Sequence, residues 1–162
     1  LPKPVFLAAY GAVYEHSPWV AEAVWPEVEA RRIDSHAALA EAMAATVDAA
    51  PRDQKLALLR AHPELAGRLS IDMAPDSVKE QAGAGLDRCT PEEFAAFQRL
   101  NAAYDARFGF PFIIAVKGLD RQAILRAFEA RAGNDPETEF AEALRQVHRI
   151  ARFRLEQLAS HP

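Results

Sequence analysis

The sequence predicts an all-α fold, a single domain of about eight helices spanning residues 1–162, and three features carry that prediction. Alanine recurs along the whole chain while runs of β-branched residues are rare, which favours helix over strand. Apolar residues return at spacings of three and four. Helix-start signals, a Ser, Thr or Asp followed by Pro or by an apolar periodic run, appear repeatedly. The only strand-like stretch is Phe112-Ile113-Ile114-Ala115-Val116, and one short apolar run cannot build a sheet. It reads equally as a buried helical turn or an extended segment.

Taken in order, Val5 to Glu15 and Trp19 to Ala30 read as helices, broken apart by Ser17-Pro18. Ser35 caps His36 to Ala49, where Leu39, Met43 and Val47 keep helical spacing. Pro51 to Ala61 is the next helix, stopped by Pro63. Asp76 or Ser77 can cap a shorter helix ending near Gly83 or Gly85. Thr90-Pro91-Glu92-Glu93 combines an N-cap, a first-turn proline and a capping-box glutamate. The helix it opens carries Phe94, Phe97, Leu100 and Tyr104 on one stripe. Asp120 caps Arg121 to Ala132, which Gly133 closes, and Asp135-Pro136 opens the last helix.

Length and composition fit one soluble globular domain: 162 residues, half of them hydrophobic and about a quarter charged. The net charge of −4 argues against nucleic acid or an anionic membrane as the main partner. No apolar run is long enough to span a bilayer, and Leu1-Pro2-Lys3-Pro4 lacks a signal-peptide pattern. The final Ser160-His161-Pro162 is not a peroxisomal address. A cytoplasmic location is the expectation. Cys89, the single cysteine, excludes an internal disulfide and a thiolate-rich metal site. Glu15-His16 lacks a second ligand at metal spacing, and His36 and His148 stand isolated in the sequence, so no metal site is expected. Gly-rich phosphate loops, a nucleophile elbow and H-E-x-x-H are all absent.

Four constellations can carry chemistry. His62 precedes Pro63 and is pushed out of helical geometry at a helix end, so its imidazole can be aimed into a cleft. Locally, a histidine at a helix C-terminus explains it as well. Glu80 and Gln81 fall in the first turn of a helix opened by Ser77, where free N–H groups can hold a polar ligand, yet ordinary capping also accounts for them. In the last helix, Phe140, Leu144, Val147, Ala151 and Leu158 form a seam whose missing step is Arg154, while Arg149 and Arg152 point away. An arginine on a buried stripe needs a partner, either a structural carboxylate or a substrate carboxylate. Finally, Phe108-Gly109-Phe110-Pro111-Phe112 suggests an ordered loop, after which the Phe112–Val116 backbone amides can bind a heterocycle or simply turn within the core.

These residues fall in blocks that resemble one family. The blocks are Tyr14-Glu15-His16-Ser17-Pro18-Trp19-Val20-Ala21, His62-Pro63-Glu64-Leu65-Ala66-Gly67, Ser77 to Gln81 with Ala84-Gly85-Leu86, Tyr104 with Phe108 to Ile114, and Ile150-Ala151 with Arg154-Leu155. Together they run almost end to end and resemble 2-oxo-4-hydroxy-4-carboxy-5-ureidoimidazoline (OHCU) decarboxylase. The stretch between Gly67 and Ser77 is short for that pattern. The resemblance implies an all-helical homodimer without metal or organic cofactor, converting OHCU to (S)-allantoin in urate degradation. It places the family's catalytic histidine on His62, its active-site glutamate on Glu80 and its carboxylate-directed arginine on Arg154. Substrate contacts are implied for Pro63, for Ser77, Val78, Lys79, Glu80 and Gln81, and for Phe112, Ile113, Ile114, Ala115 and Val116.

Two other classes compete. A non-enzymatic all-α binding or regulatory module predicts that His62, Glu80 and Arg154 serve structural partners only. A hydrolase of a related ureido compound needs an activated water, often on a metal, and the sequence supplies no metal set.

Overall fold

The computed structural model describes residues 2–65, 79–82 and 84–160. Among these residues the chain is helical and contains no strand. The helices are α1 (Lys3–Tyr10), α2 (Trp19–Glu29), α3 (His36–Ala49), α4 (Arg52–Arg60), α5 (Pro91–Phe108), α6 (Arg121–Ala132) and α7 (Pro136–Ser160). Residues 79–82 form a helical turn, and Leu86–Arg88 a short 3₁₀ turn.

The caps act as their side chains dictate. The Ser35 Oγ accepts from the Ala38 N–H at 3.1 Å, and the Asp120 Oδ1 from the Ala123 N–H at 2.8 Å. Thr90 and Glu93 make the reciprocal capping box. The Asp135 carboxylate accepts from both the backbone N–H and the hydroxyl of Thr138.

Helix α1 ends earlier than its sequence suggests. It stops at Tyr10, and Gly11 donates its N–H to the Leu7 carbonyl. Pro18 has no N–H to offer the Tyr14 carbonyl, which accepts from Ser17 instead. The Ala12 and Val13 carbonyls turn to Arg154 rather than to a continuing helix. The stripe on α5 is also rotated: Phe97, Asn101 and Tyr104 are its buried residues, while Phe94 and Leu100 are half-buried.

The chain divides into two compact units, Leu1–Ala61 with His148–Pro162, and His62–Val147. In the first, α1 packs on α2 and α2 on α3, around Phe6, Val20, Val24, Met43 and Val47. In the second, α5 packs on α6 over an aromatic core. There Phe112 stacks on Phe128 at 3.9 Å between centroids, and the Tyr104 ring stands edge-on to Phe110, Phe112 and Phe128.

Candidate active site

In the second unit, His62 follows the C-terminal end of α4 and is buried, with 8% of its surface exposed. Pro63 prevents the helix from running on. The next two carbonyls are held by side-chain amides from different elements. The Gln81 Nε2 donates to the Glu64 carbonyl at 3.3 Å, and the Asn101 Nδ2 to the Leu65 carbonyl at 2.9 Å. Leu65 anchors the segment in the core, while Glu64 faces water. The His62-Pro63 segment and the Glu80-Gln81 turn, far apart in sequence, are therefore joined.

The 79–82 turn is fixed from its other end. The Glu80 carbonyl accepts from the Ala84 N–H, and Gly85 turns the chain with φ +81°, where a side chain is disfavoured. A Cβ at Gly85 would come within 3.0 Å of the Arg121 Nη1, which donates to the Gly85 carbonyl. Arg121 is itself held by the Glu93 carboxylate. Glu80 and Gln81 are half-buried and Lys79 is exposed. Ser77 and Val78 lie outside the described residues, as does the cap expected at Asp76 or Ser77.

Phe112 to Val116 carries no regular secondary structure, so it is not the helical turn that the sequence allowed. Its peptide groups are clamped. The Arg131 Nη1 donates to the Ile113 carbonyl at 2.7 Å, and the Gln146 Oε1 accepts from the Ala115 N–H at 3.0 Å. Arg131 also lies over the Phe112 ring, 4.4 Å from its centroid. The Ile113 carbonyl and the Ala115 N–H are thus committed to the protein. Ile114 is half-buried between buried neighbours.

Behind this clamp stands a buried carboxylate that sequence reasoning missed. Glu139 is fully buried and accepts from the Arg131 Nε and Nη2, from Asn134 and from the Tyr104 hydroxyl. Burial and the adjacent carboxylate push the Tyr104 phenol far above its ordinary range. The usable signal was the spacing Glu139, Ala143, Gln146, a second buried edge beside the seam on α7.

Arg154 belongs to the first unit. It is buried as the broken seam predicts, while Arg149 and Arg152 are exposed. Its partner there is a protein carboxylate: the Nη2 donates to the Glu15 Oε2 at 2.9 Å. The Nη1 donates to the Val13 and Ala12 carbonyls at 3.3 and 3.4 Å. His148 and His36, isolated in sequence, are not isolated in space. His148 links the Tyr14 hydroxyl (2.7 Å) to the Asp48 carboxylate (2.9 Å), and His36 meets the Tyr10 hydroxyl at 3.1 Å. Burial first, and Asp48 second, raise the Tyr14 phenol above its ordinary range. Among the described residues no cluster of three His, Cys, Asp or Glu side chains can hold a metal ion.

Comparison with known proteins places the chain in a family of carboxy-lyases. Residues 1–156 match the OHCU decarboxylase family, and the chain belongs to it. It is 46% identical over 156 residues to the 2-oxo-4-hydroxy-4-carboxy-5-ureidoimidazoline decarboxylase of Halalkalicoccus jeotgali, covering 96% of this chain and 86% of that protein. It is 43% identical to a uric acid degradation bifunctional protein of Bacillus subtilis, covering 90% of this chain and 28% of the relative. Among solved structures, an (S)-allantoin synthase shares 38% identity with a TM-score of 0.79, covering 98% of this chain and 51% of that one.

Proposed function

We propose that this chain decarboxylates OHCU and delivers (S)-allantoin, a step of urate breakdown. The observation that supports this best is the bond from Gln81 to the Glu64 carbonyl, which ties the turn carrying Glu80 to the buried His62. The OHCU decarboxylase relatives support the substrate.

The substrate's C4 carries both a hydroxyl and a carboxylate. When the C4–carboxylate bond breaks, its electron pair flows toward the adjacent ring imine and CO₂ leaves. The substrate is its own electron sink, so the reaction needs no metal or organic cofactor. The protein's work is orientation and proton management. His62 exchanges a proton with the C4 hydroxyl region as bonding changes. Glu80 orients and polarises the ring and ureido nitrogens. Arg154, itself held by Glu15, positions the substrate carboxylate by its charge. Pro63, the Ser77–Gln81 run and the Phe112–Val116 segment, through groups other than the Ile113 carbonyl and the Ala115 N–H, hold the remaining edge. C5 is then protonated from one face, which sets the (S) configuration. The chain acts as a cytoplasmic homodimer and as one domain.

The test is to generate the labile substrate in situ from urate with urate oxidase and hydroxyisourate hydrolase. Circular dichroism is followed after this protein is added. A rapid signal of one sign is expected. A trace that matches slow uncatalysed decay, with the protein folded, would overturn the proposal and favour a binding module.

A further inference from the structure

We propose that Asn101 is a positioning residue for His62, acting through the backbone that follows it. This rests on the reading of His62 as the group that moves the proton. The His62-Pro63-Glu64-Leu65 segment has no regular secondary structure beyond a bend and a turn. Geometry at such a residue must come from tertiary bonds. The Asn101 Nδ2 supplies one at 2.9 Å to the Leu65 carbonyl, with both residues at least nine-tenths buried.

Asn101 sits in the middle of α5, where asparagine is a poor helix former. It occupies a core position between Phe97 and Tyr104, four residues after one and three before the other. An apolar side chain there would serve packing better. Its Oδ1 is buried and meets no donor among the described residues. What the amide does accomplish is to hold one carbonyl three residues beyond His62. Gln81, on the neighbouring carbonyl, is half-buried and its bond is longer, so Asn101 is the stiffer of the two ties.

The experiment compares wild type, Asn101→Ala and Asn101→Asp in the in situ assay. Rates are expressed per folded molecule, with the folded fraction taken from denaturant titration. Asn101→Ala is expected to lower kcat by about tenfold or more while KM changes little, since a small misplacement of a reacting group is costly. Asn101→Asp has nearly the same shape but repels the Leu65 carbonyl when ionised. Burial raises its pKa, so the protonated acid can donate, and its rate relative to wild type should climb severalfold from about pH 8 to about pH 6. A purely structural role would not produce that pH-dependent rescue.

Wild-type kcat per folded molecule in Asn101→Ala overturns the inference. So does an Asn101→Asp rate that keeps a constant ratio to wild type at every pH. Complete unfolding of both variants overturns it too, because Asn101 would then serve the fold. His62→Ala is measured alongside. Full activity in that variant removes the reading of His62 itself, whereas an inactive His62→Ala beside a fully active Asn101→Ala removes only this inference.

Discussion

Both units bury an arginine–glutamate pair, and the two are built differently. In the second unit, Arg131 and Glu139 are eight residues apart and meet through several bonds, at 2.9 to 3.3 Å. Neutral groups complete the cluster: Tyr104 and Asn134 donate to the carboxylate, and the Ile113 carbonyl accepts from the guanidinium. In the first unit, Arg154 and Glu15 are 139 residues apart. Their 2.9 Å bond is accompanied by two weaker ones, from the Arg154 Nη1 to carbonyls at 3.3 and 3.4 Å. A densely bonded pair braces the wall it sits in. The Arg154 guanidinium holds the Glu15 carboxylate together with the Ala12 and Val13 carbonyls.

Substitution separates them further. The largest expected effect is at Glu139. Glu139→Ala strands the Arg131 charge and should cost about 3–5 kcal/mol of unfolding free energy, read by urea denaturation. The activity of each remaining folded molecule should stay near wild type. Glu15→Gln keeps an acceptor for Arg154 and should cost less, about 1–3 kcal/mol. Its kcat/KM should nevertheless fall roughly tenfold, because the arginine loses its aim. Equal stability losses for the two variants, with unchanged kcat/KM in folded Glu15→Gln, would make both pairs scaffolds.

The smallest effect is a control on both pairs, at two helix-capping carboxylates. Glu93 is held below the ordinary carboxylate range by the Thr90 N–H and by Arg121, and Asp135 by the Thr138 hydroxyl and N–H. A depressed folded-state pKa means that their stabilisation is complete above the ordinary carboxylate range. It disappears as pH falls through the lowered values. Thermal unfolding should therefore hold steady from neutral to mildly acidic pH and weaken below it. Glu93→Gln should flatten part of that acid limb. An unchanged limb in Glu93→Gln would remove this carboxylate from the acid response.

What was legible in the sequence follows the same division. Caps at Ser35, Thr90, Asp120 and Asp135 could be read because each is decided within about one helical turn. The burial of Arg154 was legible as an interruption in an otherwise apolar seam. Its protein partner was not, since nothing in Tyr14-Glu15-His16 announces a contact so distant in the chain. Glu139 was hidden for another reason. It lies in the first turn of α7, where an acidic residue is expected on dipole grounds and normally faces water. Asn101 was overlooked because the α5 stripe was drawn through Leu100, one residue away, and a rotation of one position changed which side chain is buried. The link from Tyr14 through His148 to Asp48 joins residues a hundred or more positions apart and left no local trace.

The proposed reaction depends on His62 moving the proton. The most direct measurement is the turnover of His62→Asn in the coupled urate assay, with its fold verified by denaturant titration. The expected result is a folded protein whose optical signal is no faster than spontaneous decay and carries no excess of one sign. A folded His62→Asn that delivers (S)-allantoin at the wild-type rate would contradict it.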